Sequence, residues 1–566
     1  MQLTDMPGEE AASMMEAGPD AGLPGRVRSF VTAHREPLYL IMLLFTLLLL
    51  FNRLTYSPHR WTLHPDDQNL FTYSHVLLHT GRLYHQSELN EEFNTTAFIP
   101  GINDYRTDIP GGYQRSTLYT PGGFFVVCLG HLFGMRGPFI IVSLLGLAGV
   151  IFIYLIARSL YGVGAAMASA AFLGFSAAYA FWSNMLFSNM SALAIFLGGA
   201  FFLYRAFRKD GGRPSYLIGS LLLGLSVWVR YEYIIFVVIL VLVAGLASWR
   251  TLKLRLVVES LVAVALLAVV IVGLNTITKG SYSGVSYLEP MGGTSTGQAQ
   301  HMLWRYPLTV FRSRAPAIIY GNAHMYIYSV APVLTVAGLL GGLLLFKRKR
   351  DGFELAFLVI MVVALLYFGQ NTKYWGYGSN VLASSYTRYF LIIFAGLSLF
   401  AGLFSRELVR KRAGGVLAPI LVGLILAMHI FTSTGVLATR SFGLAYTNVY
   451  NSQRKQVDAL AASLPEDALL VDFTRDGWCR DMIISRTMLE TRRLPSGERE
   501  PELARILKQA LDADMPVYMF YSTERKLMDI DEFQMKYGFR VTEIPTELYF
   551  RIAGRTPLLL EVEAVD

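Results

Sequence analysis

Charge is scarce in this sequence. Only 16% of its 566 residues are Asp, Glu, Lys or Arg, against about 25% in a typical soluble chain. With 53% hydrophobic residues and a mean hydropathy of +0.42, that scarcity excludes a soluble enzyme and a disordered chain. Cysteine is almost missing as well. Cys128 and Cys479 are the only two, and neither belongs to a Cys-x-x-Cys or zinc-finger spacing, which excludes a disulfide-stapled module. There is no nucleotide-binding motif. Acids and bases are also absent from the middle of the apolar runs, where they would mark an ion or proton pathway. Only His429 sits well inside a run, and it reads as a neutral packed imidazole.

What is present in abundance is uncharged apolar sequence. A first run covers Leu38 to Phe51, extended by Leu54, and reads as an uncleaved anchor. Further runs without Lys, Arg, Asp or Glu cover 137–157, 159–204, 214–229, 233–249, 260–278, 325–346, 355–372, 389–405 and 413–439. A membrane helix needs about 20 such residues. The run 159–204 holds two spans, divided by a polar break at Trp182-Ser183-Asn184 and Ser188-Asn189. The expectation is a mainly α, polytopic membrane protein of about eleven helices. Six segments, the first around Arg26, Arg28 and Arg35 and the last at Arg406 to Arg412, carry 19 Lys and Arg on one face if the helices alternate. Positive residues stay inside, so the N-terminus is expected in the cytoplasm and the C-terminus outside. A basic total of +8 then reflects membrane orientation and not a nucleic-acid stripe, so no nucleic-acid partner is expected.

Three parts follow. Residues 1–37 form a cytoplasmic tail expected to lack order, 38–440 a transmembrane domain with a first outer loop at 55–136, and 441–566 an extracytoplasmic α/β domain. From Arg440 onward the chain holds 17 Lys and Arg against 21 Asp and Glu, an ordinary soluble composition. The pattern there predicts helices at 457–464, 502–511 and 531–537 and strands at 468–473, 516–520, 539–544 and 548–552. With no triad and no Gly-rich phosphate loop, this region is expected to act as a lid or docking module.

The chemistry-bearing residues gather on the outer face. In the first outer loop, Asp66 and Asp67 follow Pro65. One aspartate caps a helix start, and the other needs a different account; a carboxylate held there beside a water-excluded groove suits a general base. Five of the ten histidines lie between His59 and His85. His75 and His79, four apart on one helical face, form a possible divalent-metal site, with interfacial histidines as the plainer reading. An apolar stretch from Phe124 to Phe133, after Tyr119-Thr120-Pro121-Gly122-Gly123, is too short to span and suits a helix along the interface. Val229-Arg230-Tyr231-Glu232 ends one run, Tyr386-Thr387-Arg388-Tyr389 opens another, and Lys373 lies in the loop Lys373-Tyr374-Trp375-Gly376-Tyr377. Arginine binds phosphate oxygens in pairs, while aromatics mark the interface and stack on sugars. Interfacial anchoring and snorkelling explain any one of them equally well.

In that order these residues resemble the GT-C membrane glycosyltransferases. The closest likeness is to the branch that holds the protein O-mannosyltransferases and the lipid A aminoarabinose transferase. The likeness spans roughly 38–440. It rests on His64-Pro65-Asp66-Asp67, the interfacial segment after Tyr119-Thr120-Pro121, and the Arg-Tyr pairs at 230–231 and 388–389. Relatives often carry Lys or His before two prolines where this chain has Tyr119-Thr120-Pro121-Gly122, and prolines after the second Arg-Tyr that are missing here. The resemblance implies a polyprenyl- or dolichyl-phosphate sugar as donor, with its tail between helices, and a glycan, lipid or protein acceptor in a cell envelope, here a prokaryotic cell membrane. It implies Asp66, or else Asp67, as the base of an inverting transfer. Arg388, Arg230, Lys373 and Tyr119 would meet the donor phosphate, and Tyr386, Tyr231 and Trp375 the sugar. A lipid-linked glycan flippase is the alternative, although it should line its interior with polar groups that these helices lack. A non-catalytic scaffold is a third reading.

Overall fold

The computed structural model describes residues 35–52, 65–86, 89, 92–95, 104–106, 114–117, 121–134, 136–208, 212–249, 253–279, 315–347, 351–370, 382, 386–411, 417–438, 462–472, 487–490, 494, 499–521, 529–544 and 558–565. The membrane body starts with α1 (Arg35–Phe51) and α2 (Pro65–Thr80). Next come three short strands, β1 (Tyr84–Gln86), β2 (Asp104–Arg106) and β3 (Gln114–Thr117), in an antiparallel sheet of order β1-β3-β2. The short apolar helix α3 (Pro121–His131) follows, where the sequence predicts a helix from Phe124 to Phe133. Then come α4 (Gly137–Tyr161), α5 (Val163–Gly174), α6 (Ala177–Ser183), α7 (Ser188–Phe207), α8 (Arg213–Val229), α9 (Tyr233–Ala247) and α10 (Leu254–Lys279). The body ends with α11 (Ala315–Ala323), α12 (Pro332–Leu344), α13 (Gly352–Gly369), α14 (Leu391–Lys411) and α15 (Leu417–Ala438).

Among the described residues six helices are long and apolar enough to cross a membrane, or eight if each of two bent pairs is one span. Helices α8 and α9 are apolar but shorter than that measure. The break expected after Trp182 falls between α6 and α7. A second break was not foreseen: α5 and α6 meet at 66°, where Ser176 caps α6 by accepting from the Tyr179 amide at 3.5 Å. The expected continuous run 325–346 is also bent. Helix α11 passes into a π turn, His324–Tyr328, and the chain turns 113° before α12. Pro332 starts α12, where its missing N–H costs nothing.

Small residues let the central helices close up. A Cβ on Gly219 of α8 would lie 2.9 Å from the Leu203 amide of α7, and one on Gly341 of α12 would overlap the Phe400 carbonyl of α14. Helix α15 is pinned from outside by His429, whose Nε2 donates to the Phe172 carbonyl at 2.9 Å, just before the α5–α6 bend.

The tail folds around a five-stranded sheet of order β5-β4-β6-β8-β7: β4 (Leu469–Asp472), β5 (Thr487–Glu490), β6 (Val517–Tyr521), β7 (Phe539–Ile544) and β8 (Leu558–Ala564). β4 runs parallel to β5 and β6, and β8 pairs antiparallel with β6 and β7. Helices α16 (Arg499–Asp512) and α17 (Ile530–Tyr537) complete it. β5 and β8 were not expected, while the expected strand 548–552 and residues 457–461 of the first helix lie outside the described residues. Phe93, from the first loop, is buried in the core of this domain. Its carbonyl accepts from Arg505 at 2.5 Å, so the first loop and the tail stand on the same face.

Candidate active site

Pro65 opens α2, so Asp66 and Asp67 are its second and third residues. Neither is the residue preceding the helix, which corrects the expectation that one caps it. Both lie in the first turn, where a carboxylate favours the helix dipole. The Asp67 side chain is buried. The Asp66 side chain lies outside the described residues.

Helix α2 packs on α3, and two glycines let α3 approach α7 and the end of α8 closely. A Cβ on Gly123 would sit 3.0 Å from Ser188 Cβ and 3.8 Å from Leu70 Cδ1; one on Gly122 would sit 2.7 Å from the Trp228 carbonyl oxygen. The pair after Pro121 therefore wedges α3 among α2, α7 and the end of α8. Ser188 leads directly to the arginines. Arg230, in the turn between α8 and α9, donates through Nη1 to Asn189 Oδ1 at 2.9 Å and Ser188 Oγ at 3.3 Å. Its Nε and Nη2 donate to the two Glu232 carboxylate oxygens at 3.2 and 2.6 Å. Burial alone would lower the Arg230 pKa, but the Glu232 carboxylate outweighs it and raises the pKa well above the usual arginine value.

Arg388 lies in the 3-10 turn Thr387–Phe390 and is buried. Its guanidinium carbon sits 4.3 Å from the Phe187 ring centre and 5.3 Å from that of Tyr389. Arg230 reaches the same Tyr389 ring at 5.5 Å. Two arginines 158 positions apart in the sequence thus share one aromatic ring, a cation–π arrangement strengthened by exclusion of water. Tyr386 is buried below them, with Tyr326 of the π turn 5.0 Å away and Phe390 5.3 Å away between ring centres.

Tyr231 joins the site to a groove. It lines an apolar cavity of about 750 Å³ between α8, α9 and α10. Pro121, Trp228 and Asn275 stand with it at the end nearest the arginines, and Tyr216 and Val257 at the other end. From Val257 to Asn275 the groove runs about 27 Å at roughly 1.5 Å per residue, close to the thickness of a bilayer core. Trp228 Nε1 donates to Asn275 Oδ1 at 3.0 Å across its rim.

The histidines gather at the far end of α2. The rings of His75 and His79 are centred 4.4 Å apart, and His131 of α3 lies 5.3 Å from His75. Ser74 Oγ meets His131 Nε2 at 2.9 Å. Burial pushes the His131 pKa down to about 4; burial, then the His79 charge, lowers that of His75. Among the described residues no group of three or more His, Cys, Asp or Glu is placed to hold a metal.

Lys373, Trp375 and Tyr119 lie outside the described residues. The sequence pattern points to both arginines and to Tyr389 beside Arg388, but gives Phe187 and Tyr326 no place around them. It had noted Ser188-Asn189 as a polar break; that polarity inside an uncharged run was the available signal.

Comparison with known proteins adds the fold. The model of the dolichyl-phosphate-mannose-protein mannosyltransferase family matches residues 122–274, from α3 into α10 and including Arg230. The chain is similar to the crystal structure of ArnT from Cupriavidus metallidurans in the apo state, with a TM-score of 0.56 and 11% identity over 92% of this chain and 97% of that one. The chain has the fold of a GT-C membrane glycosyltransferase. The same relative bound to undecaprenyl phosphate gives a TM-score of 0.57 at 11% identity and the same coverage. The archaeal oligosaccharyltransferase AglB from Archaeoglobus fulgidus, in complex with an inhibitory peptide and a dolichol-phosphate, gives 0.50 at 13% identity over 86% of this chain and 69% of that one. A sequence search of the curated proteins finds no match. A GT-C fold and at least six membrane-length helices make this a multi-pass integral membrane protein.

Proposed function

We propose that the protein is a membrane glycosyltransferase that moves a sugar from a polyprenyl- or dolichyl-phosphate donor to an acceptor hydroxyl on the extracytoplasmic face of a prokaryotic cell membrane. One observation carries the reading: Arg230 and Arg388 converge on Tyr389 close to the end of a membrane-deep apolar groove. A lipid phosphate demands that combination, with cations for its head and a long dry channel for its tail. The relatives point the same way, one being bound to undecaprenyl phosphate and the other to a dolichol-phosphate.

In this mechanism the polyprenyl tail occupies the groove between α8, α9 and α10, and its phosphate faces Arg388 and Arg230. Asp66 takes the acceptor proton as the hydroxyl oxygen attacks the anomeric carbon in line, inverting its configuration. The arginines stabilise the charge that develops on the departing phosphate, the electrostatic contribution that usually dominates. With the N-terminus in the cytoplasm, the tail domain stands outside beside the acceptor.

Asp66→Asn should lower transfer by about 10²-fold or more, the scale of lost general-base catalysis, and leave binding of undecaprenyl phosphate intact. If Asp66→Asn turns over normally and Asp67→Asn is dead, the base is Asp67. Full activity in both variants sinks the carboxylate mechanism.

A further inference from the structure

Arg230 is already heavily engaged. An arginine offers five N–H donors, and four of them here point to partners: Nε and Nη2 to Glu232, and Nη1 to Asn189 and Ser188. Glu232 and Arg230 are each only 8% exposed, so solvent does little to screen the pair. A phosphate that reaches Arg230 therefore meets a carboxylate on the same guanidinium.

The two lipid phosphates of the proposed reaction differ in charge. The donor is a diester with one ionised oxygen. During transfer the bond from the anomeric carbon to the phosphate oxygen breaks and its electron pair stays on that oxygen. The acceptor oxygen forms the new bond to carbon, and the acceptor proton goes to the base. The spent carrier is a monoester whose second ionisation falls near pH 6, so it carries about two charges at pH 8. A neighbouring like charge disfavours ionised forms, and the doubly charged one most.

We infer that Glu232 is a specificity-determining residue that favours the singly charged donor phosphodiester over the doubly charged spent carrier at Arg230. This rests on the donor chemistry proposed above. Glu232 keeps Arg230 ordered between turnovers and weakens the hold on the product once the sugar has left. A carboxylate too far from the bound phosphate to repel it would not distinguish the two lipids.

The experiment measures binding at pH 8 of two probes, farnesyl phosphate and its methyl diester, to the full chain in detergent. The wild type is expected to bind the diester at least as tightly as the monoester. Glu232→Gln should shift the ratio of affinities toward the monoester by about tenfold or more, the scale on which one close charge changes an ionisation equilibrium. Glu232→Asp keeps the charge and should keep the wild-type ratio. Removing one partner of a buried pair is destabilising; should Glu232→Gln not fold, the wild-type ratio still decides, since a marked preference for the monoester overturns the inference. An unchanged ratio in folded Glu232→Gln overturns it and leaves the transferase reading standing. Binding of neither probe to the wild type overturns that reading and the inference with it.

Discussion

Helices α7 and α10 are both apolar and long enough to cross a membrane, and they lead opposite lives. Over its most apolar stretch α7 is 83% buried in the molecule, whereas α10 is 6% buried. Of the six membrane-length helices, α7 is the least apolar and α10 is among the most apolar. The helical stretch that the second Arg-Tyr pair opens, Thr387–Arg410, repeats the first case at 89% buried. The two most buried membrane-length helices are thus the two least apolar, the reverse of a soluble core. Lipid tolerates any apolar surface, so between Ser260 and Gly273 the outer helix is built from Leu, Val, Ala and Ile. The inner helices carry Gly, Ser and Asn because close packing and the arginines require them. Polarity inside an uncharged run is therefore the mark of the working interior.

Three substitutions test that contrast. The largest effect is expected at Gly341 on the packed α12–α14 seam, where Gly341→Val forces a side chain into the Phe400 carbonyl. Overpacking costs about 1–3 kcal/mol or more, and here rigid backbone stands in the way; size-exclusion chromatography should show loss of the monodisperse folded protein. A middle effect is expected in the groove. Val264→Trp on α10 fills space assigned to the lipid tail, and displacing even two methylenes, at about 0.8 kcal/mol each, weakens binding of a long-chain polyprenyl phosphate by about tenfold. Binding of a short-chain phosphate should change little, and equal losses for both chain lengths would show that the groove is not the tail site. The smallest effect is expected at Gly273, also on α10, where an added Cβ meets nothing within 4 Å. Gly273→Val should leave expression and thermal stability within about 0.5 kcal/mol of the wild type. A collapse there would mean that α10 is packed against something and is not a lipid-facing wall.

Much of the body was legible because lipid imposes a simple rule: long uncharged runs become helices, and charges end them. Arg230 and Arg388 were found by that rule, as was the short apolar helix after Pro121. Direction was not legible. The turns at Ser176 and before Pro332 leave the composition apolar on both sides, so hydropathy reports the solvent and says nothing of a bend. Partnership was not legible either. Glu232 follows Arg230 by two residues, yet only the extended backbone of Arg230, with φ −148° and ψ 112°, brings the carboxylate alongside the guanidinium. Phe93 reads as one aromatic in a polar loop, and its burial in the tail domain depends on strands that lie some 400 residues further on.

The account stands or falls on whether the two arginines hold the phosphate of a sugar donor that is then cleaved. The direct measurement is release of free polyprenyl phosphate from a polyprenyl-phosphate sugar by the purified full chain, with a membrane extract supplying the acceptor, in wild type and Arg388→Ala. The wild type should release the carrier, and Arg388→Ala should do so about 10²- to 10³-fold more slowly, as expected for the loss of a group that stabilises transition-state charge. Binding of the lipid without release by the wild type, or undiminished release by Arg388→Ala, would contradict it.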